Sequence, residues 1–138
     1  MWWKKKQDME RINYTSGAHW EDIVGYSRAM KVGNIIEVSG TVAVDEKNNV
    51  VGVNEPYEQT KYILNKIKTV LEKAGSGISD VVRTRMYVTD IARWEDVGRA
   101  HGEFFKDIKP ASTMVEVKSL IHRDMMVEIE VTAVISKD

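Results

Sequence analysis

Between Val81 and Val117 the alternation of apolar and polar positions changes period twice, and the rest of the chain is read around that stretch. Val82, Thr84, Met86 and Val88 alternate with Arg83, Arg85, Tyr87 and Thr89, the two-residue period of a strand with two unlike faces. From Trp94 the spacing lengthens. Trp94, Val97, Gly98, His101, Phe104, Phe105 and Ile108 fall on one stripe of a helix, with Asp90 placed to cap it. Pro110 forbids further helix, and Ser112–Val117 returns to strand.

The flanking segments follow the same logic. Arg11–Tyr14 predicts a short strand and Ser16–Trp20 a loop. Tyr26–Val32 and Ile35–Val44 predict two strands joined by Gly33-Asn34, the signature of a type II′ hairpin. Ile36, Val38, Val42 and Val44 would share one face, with Glu37, Ser39 and Thr41 on the other. Gly40 between them marks either a close approach by another group or a bulge. After a polar turn at Asp45–Asn49, a helix begins near Asn54 with Pro56 in its first turn. Its stripe is Ile63, Leu64, Ile67, Val70, Leu71 and Ala74, and Gly75 stops it. Lys66, Lys68 and Lys73 lie off that stripe and read as solvated. Leu120–Asp124 is a loop, and Met125–Ile135 closes the chain as a strand. Val127, Ile129, Val131, Ala133 and Ile135 point one way there, and Glu128, Glu130 and Thr132 the other.

This order predicts an α+β domain over residues 21–138, preceded by an arm, 1–20, that holds a possible edge strand. Two helices on five or six strands cover only one face of a single sheet. Met114, Val115, Val117 and Met126 would leave the second face apolar, which implies burial against another subunit.

Composition narrows the function. Over 138 residues, 43% are hydrophobic and 30% charged, as in a soluble globular protein. A net charge of -1 gives no electrostatic footprint for nucleic acid. The absence of cysteine excludes disulfides, thiolate metal sites and cysteine nucleophiles, and suits a cytoplasmic setting. No run approaches the roughly 20 apolar residues of a membrane span. The opening MWWKKKQDMER lacks the apolar core of a secretory signal and reads as a solvated arm. His19 has no second histidine at metal-site spacing, and neither a phosphate-cradling loop nor a nucleophile elbow is present, so neither metal nor cofactor is expected.

Candidate chemistry gathers on the last strand. Glu128 and Glu130 are two apart, so their side chains share a face at a spacing of roughly 7 Å. Such a pair can divide acid and base work or position a water, or can simply be solvated. His101, on an apolar helical stripe, is either a hydrogen-bonded core position or a proton carrier. Trp94 reads as core with a lining role, and Met114, Met125 and Met126 as an adaptable apolar wall.

The segments YVTD, EFF and P-A-x-x-x-V-E-V, with GYSRAMKVGN…VSG before them and VEIEVTAV after, resemble the YjgF/RidA family of reactive imine and enamine deaminases. The resemblance runs from Ile23 onward. It implies a chorismate-mutase-like fold assembled as a homotrimer, with small-molecule clefts between subunits. Carried over by position, Tyr26 and the Val38-Ser39-Gly40 turn would line the cleft, and Glu128 would hold the attacking water. Thr113 and Met114 would complete the lining beside Ser112. Where the family has an arginine that forks onto a substrate carboxylate, this chain has Ser112, and a polar helix position is Gly98. The resemblance therefore implies a cleft that binds a small polar metabolite, either as a binding protein or as a weak hydrolase. The alternatives are a deaminase in which another cation such as Arg28 substitutes, and a regulatory or RNA-directed protein, as some relatives have been described. Arg83 and Arg85 read as a basic patch or as solvated side chains.

Overall fold

The computed structural model describes residues 9–136. The tryptophan and lysine residues of the expected solvated arm lie outside them. Six strands form one mixed sheet: β1 (Arg11–Tyr14), β2 (Ala29–Val32), β3 (Ile35–Val42), β4 (Val81–Val88), β5 (Ala111–Glu116) and β6 (Val127–Val134). Their order across the sheet is β1-β2-β3-β6-β4-β5, with β4 and β5 parallel and all other pairs antiparallel. A parallel pair needs a crossover connection. Here it is α3 (Trp94–Phe105). The other helices are α1 (His19–Val24) and α2 (Pro56–Lys73).

The core lies between the sheet and the two longer helices. Ile63, Leu64, Ile67 and Leu71 of α2 are fully buried, as are Val127 and Ile129 of β6. Each such side chain contributes about 1.5–3 kcal/mol by leaving water. The opposite face of β4 and β6 carries Arg83, Arg85, Tyr87, Glu128, Glu130 and Thr132, all half-buried and covered by neither helix. Among the described residues, no helix is long and apolar enough to cross a membrane.

Several local expectations are corrected. The loop predicted at Ser16–Trp20 gives way at His19 to α1, one short helix whose end is set by Gly25 at φ 88°. Glu21 is buried and accepts from Ser16 N at 3.1 Å and from the Ser16 hydroxyl, which fixes the entry to that turn. β2 begins at Ala29 rather than Tyr26, because Tyr26 N is spent on Glu21 O. The hairpin glycine, Gly33, has φ 59° as its turn requires. In β3 the register against β6 shifts between Val38 and Thr41. The bulge flips the faces, so Thr41 and Ala43 are buried where Val42 and Val44 were expected.

The third helix is shorter and rotated. It ends at Phe105, and Asp90 caps a 3₁₀ turn (Ile91–Arg93) that leads into it, accepting from Ala92 N at 3.1 Å. Its buried stripe is Val97, Ala100 and Phe105, which turns Trp94 outward at 54% exposure rather than into the core. On β5, Met114 is paired with Met86 and packs against the core together with Met126. Of the four apolar side chains assigned to the uncovered face, these two belong to the covered one, whereas Val115 is exposed.

Candidate functional site

The residues singled out fall into two groups on opposite faces of the sheet. The first surrounds Glu128. Its backbone pairs with Val42 on one side and Tyr87 on the other, which turns the side chain to the uncovered face beside the β3 bulge. A Cβ at position 40 would lie 2.9 Å from Glu128 Cδ, so only glycine leaves the carboxylate where it is. Gly40 thus combines both readings of a strand glycine: it stands at a bulge and receives a close approach. Ser39 donates its hydroxyl to Ser27 O at 2.6 Å, and Ser39 N donates to Arg28 O at 3.0 Å. These bonds tie the bulge to the segment before β2.

Arg28 closes this group. Its Nη2 donates to Gly40 O at 2.7 Å, and its guanidinium lies 5.7 Å from the Tyr26 ring centroid. Among the described residues, Arg28 Nε is a buried side-chain nitrogen with no hydrogen-bond partner. Burial, then the charge of Glu130, raises the Glu128 carboxyl above its usual range, while Arg28 pulls the other way. The result is a desolvated acid with one cation nearby.

Lys66 was expected to be merely solvated and is not. It reaches from α2 to the carbonyls of Val42 and Val44, at 3.2 and 3.0 Å. Burial, then Arg28, lowers its pKa, with Asp45 opposing. Further along the uncovered face, Tyr87 donates to Glu130 Oε1 at 2.9 Å, and Arg85 Nε lies 3.8 Å from the same oxygen. A trough of about 840 Å³ opens there between α1 and the sheet, lined by Tyr26, Met30, Glu37, Ser39, Arg85 and Glu130. Glu130, rather than Glu128, faces it. Thr113 shares this face and accepts from Arg83 Nη2 at 2.7 Å.

The second group is on the covered face, at its open edge. Ser112 on β5 pairs with Thr84 on β4, whose side chain is fully buried. Thr84 Oγ1 donates to Ser112 Oγ at 2.7 Å and lies 2.9 Å from His101 Nε2. His101 is half-buried, stacks on Phe105 at 4.6 Å between centroids, and has its pKa lowered by burial. One turn back on α3, a Cβ at Gly98 would stand 3.8 Å from Trp94 Cε3, an ordinary contact. His101, Thr84 and Ser112 thus make a rim beside the edge strand, with Trp94 about two turns away from His101 on α3. Met114 backs the rim from the core.

Within one chain, then, Tyr26, Arg28, Ser39, Gly40 and Glu128 come together, and His101 and Ser112 come together elsewhere through Thr84, with Met114 on the same face of β5 and Trp94 further along α3. Thr84 and Lys66 were not anticipated. A threonine on a strand's apolar face opposite a histidine on a helical stripe was the signal for the first. Lys66 carried none, because a lysine between two apolar helix positions looks the same whether it is solvated or reaches a strand edge. Among the described residues, no group of three histidine, cysteine or acidic side chains could hold a metal ion.

A family model described as endoribonuclease L-PSP matches residues 16–135. The chain belongs to the YjgF/RidA family. A "RutC family protein" of Pyrococcus abyssi is 36% identical over 108 residues, covering 78% of this chain and 84% of that protein. A protein of Acinetobacter baylyi named 3-aminoacrylate deaminase RutC is 35% identical over 104 residues, covering 75% and 82%. The crystal structure of a YjgF/YER057c/UK114-family member from Mycobacterium tuberculosis is 40% identical and superimposes with a TM-score of 0.83, covering 91% of this chain and all of that one. The single mixed six-stranded sheet with its helices is the YjgF-family fold.

Proposed function

We propose that this YjgF/RidA-family protein assembles as a homotrimer and binds a small polar metabolite at clefts between subunits, with Glu128 holding a water for hydrolysis of an imine or enamine. The observation that carries the reading is the carboxylate itself. Glu128 is held against Gly40, with burial raising its pKa and Arg28 beside it, the setting of a carboxylate that can hold a water.

Assembly is supported by the separation of the two groups. β5 is an edge strand, exposed along its length except at Met114, and it carries Ser112 on one face and Thr113 on the other. In one chain the sheet lies between Ser112 and Glu128. A neighbour's Glu128 group packed against this edge would bring the two together.

Ser112 sets the limit on chemistry. A buried bidentate arginine–carboxylate pair is worth roughly 2–5 kcal/mol when truncated. One neutral hydroxyl does not replace it, so imino acids clamped by their carboxylate are poor substrates. The 3-aminoacrylate deaminase relative makes enamine hydrolysis the reaction class to test. The test generates 2-aminoacrylate in a cuvette and follows its decay with and without protein. Weak acceleration lost in Glu128→Ala, and raised about thirtyfold or more by Ser112→Arg, is the expected result. Strong acceleration by the unaltered protein, lost in Arg28→Gln, would instead assign the cation's role to Arg28 and overturn the limit. Sedimentation as a monomer would overturn the clefts.

A further inference from the structure

We infer that Ser112, Thr84 and His101 form a hydrogen-bonded relay whose exposed hydroxyl selects an uncharged acceptor, such as an amide carbonyl, on the ligand. This rests on the cleft reading above, and it assigns positioning roles to Thr84 and His101 that reach the ligand only through Ser112.

The geometry is continuous. His101 Nε2 is 2.9 Å from Thr84 Oγ1, which donates to Ser112 Oγ at 2.7 Å. Because the Thr84 proton is spent on Ser112, the contact with His101 is completed by an Nε2–H donating to Thr84 Oγ1. That sets the imidazole tautomer, an assignment that follows from the network. The Ser112 proton is then left for a group outside the chain. Ser112 is exposed while Thr84 is fully buried, so the relay opens at one end only.

Linked donors polarise one another, so the terminal hydroxyl is a better donor than an isolated serine. It remains a neutral one. His101 is stacked on Phe105, and burial disfavours its charged form, so no cation stands behind the relay at neutral pH. Of the cations on the face that Glu128 and Glu130 share, Arg28 is tied to Gly40 O, Arg83 to Thr113 Oγ1, and Arg85 lies 3.8 Å from Glu130, so each is already engaged within the chain. An anionic ligand would meet carboxylates at one end and an uncharged hydroxyl at the other. A neutral carbonyl suits both. Thr84 satisfies three requirements at once: it is buried, it is small, and its hydroxyl both accepts and donates.

The experiment compares 2-oxobutanamide with 2-oxobutyrate, two probes alike in shape and different in charge, by isothermal titration calorimetry on the full chain. The unaltered protein is expected to bind the amide more tightly. Thr84→Val keeps the shape and breaks the relay, and is expected to weaken the amide by about tenfold, one hydrogen bond's worth, without changing the carboxylate. Thr84→Ser, which keeps the hydroxyl, restores amide binding and serves where Thr84→Val fails to fold. Ser112→Arg reverses the ranking. Amide binding also moves the side-chain ¹⁵N resonances of His101, and this shift is lost in Thr84→Val. Equal or tighter binding of 2-oxobutyrate by the unaltered protein, no binding of either probe, or Thr84→Val indistinguishable from it overturns the relay. Loss of enamine hydrolysis in Glu128→Ala is read separately, so either conclusion can fail while the other stands.

Discussion

Glu128 and Ser112 lie on the same sheet, separated only by β4, and their surroundings are built from opposite materials. Around Glu128 are charges: Arg28, Glu130 and, through Arg28, Lys66. Around Ser112 are hydroxyls, one neutral imidazole and an aromatic rim. The charged half is held by backbone carbonyls of a bulged strand, the neutral half by side chains from three elements. A strand presents alternate residues to opposite faces, so one sheet can host two chemistries without mixing their fields. The lesson is that within one chain the pleat isolates the halves.

The largest expected effect comes from Gly40→Ala. Its Cβ would displace the Glu128 carboxyl, and a displacement of about 1 Å at a reacting group costs on the order of a hundredfold in rate. The atom it meets ends a flexible side chain, so thermal unfolding should change little. A Tm that collapses together with activity would show the bulge, rather than the carboxylate, to be what glycine protects.

Thr84→Val acts on the other half and reads in stability as well as in ligand preference. It leaves His101 Nε2 and Ser112 Oγ short of a partner, at a cost of about 1–3 kcal/mol by denaturant titration. An unchanged midpoint would mean that water replaces the bond freely.

Acid and base separate the halves by sign. The raised Glu128 pKa means that the folded chain holds its proton more readily than the unfolded chain does. That contribution is fully present below the ordinary 4.5 and is lost as pH rises through the raised value, so Glu128→Gln should increase Tm at pH 7 and lose this advantage toward pH 4.5. For His101 the folded pKa lies below 6.5, so the unfolded chain takes the proton more readily. Stability should fall as pH drops below 6.5, and His101→Gln should flatten that fall. Equal pH profiles for the two variants would erase the contrast. Smallest of all, Lys66→Met should cost about 1 kcal/mol, the net worth of a typical hydrogen bond, since two carbonyls lose a donor.

Much of the fold could be read from residue spacing, because α2 and the central strand β6 repeat one period for long enough to leave no alternative. Ile63 through Ala74 and Val127 through Ala133 are buried as their periods demand. What failed did so for local reasons. α1 is six residues long, too short to display a period, and is stabilised instead by Gly25 and by the buried contact of Glu21 with Ser16. The alternation in β3 assumed an unbroken register, so the bulge at Gly40 inverted every assignment after it. In α3 the burial of Ala100 shifts the stripe, and alanine has too little hydrophobic contrast to reveal it. The site was legible as residue types at positions. Which of them touch depended on pairings such as Thr84 with Ser112, which no local period encodes.

The reach of Lys66 has a consequence for how molecules of this kind keep apart. β2 ends before the bulge, so beyond it that side of β3 is flanked only by its own turn, with Val44 N on Val42 O, Val51 N on Ala43 O and Val44 bridged to Val50. An ammonium seated on the Val42 and Val44 oxygens adds to that short cover a charge that a foreign backbone would have to evict. The variant that removes it should therefore aggregate sooner on storage than its modest loss of stability alone would explain.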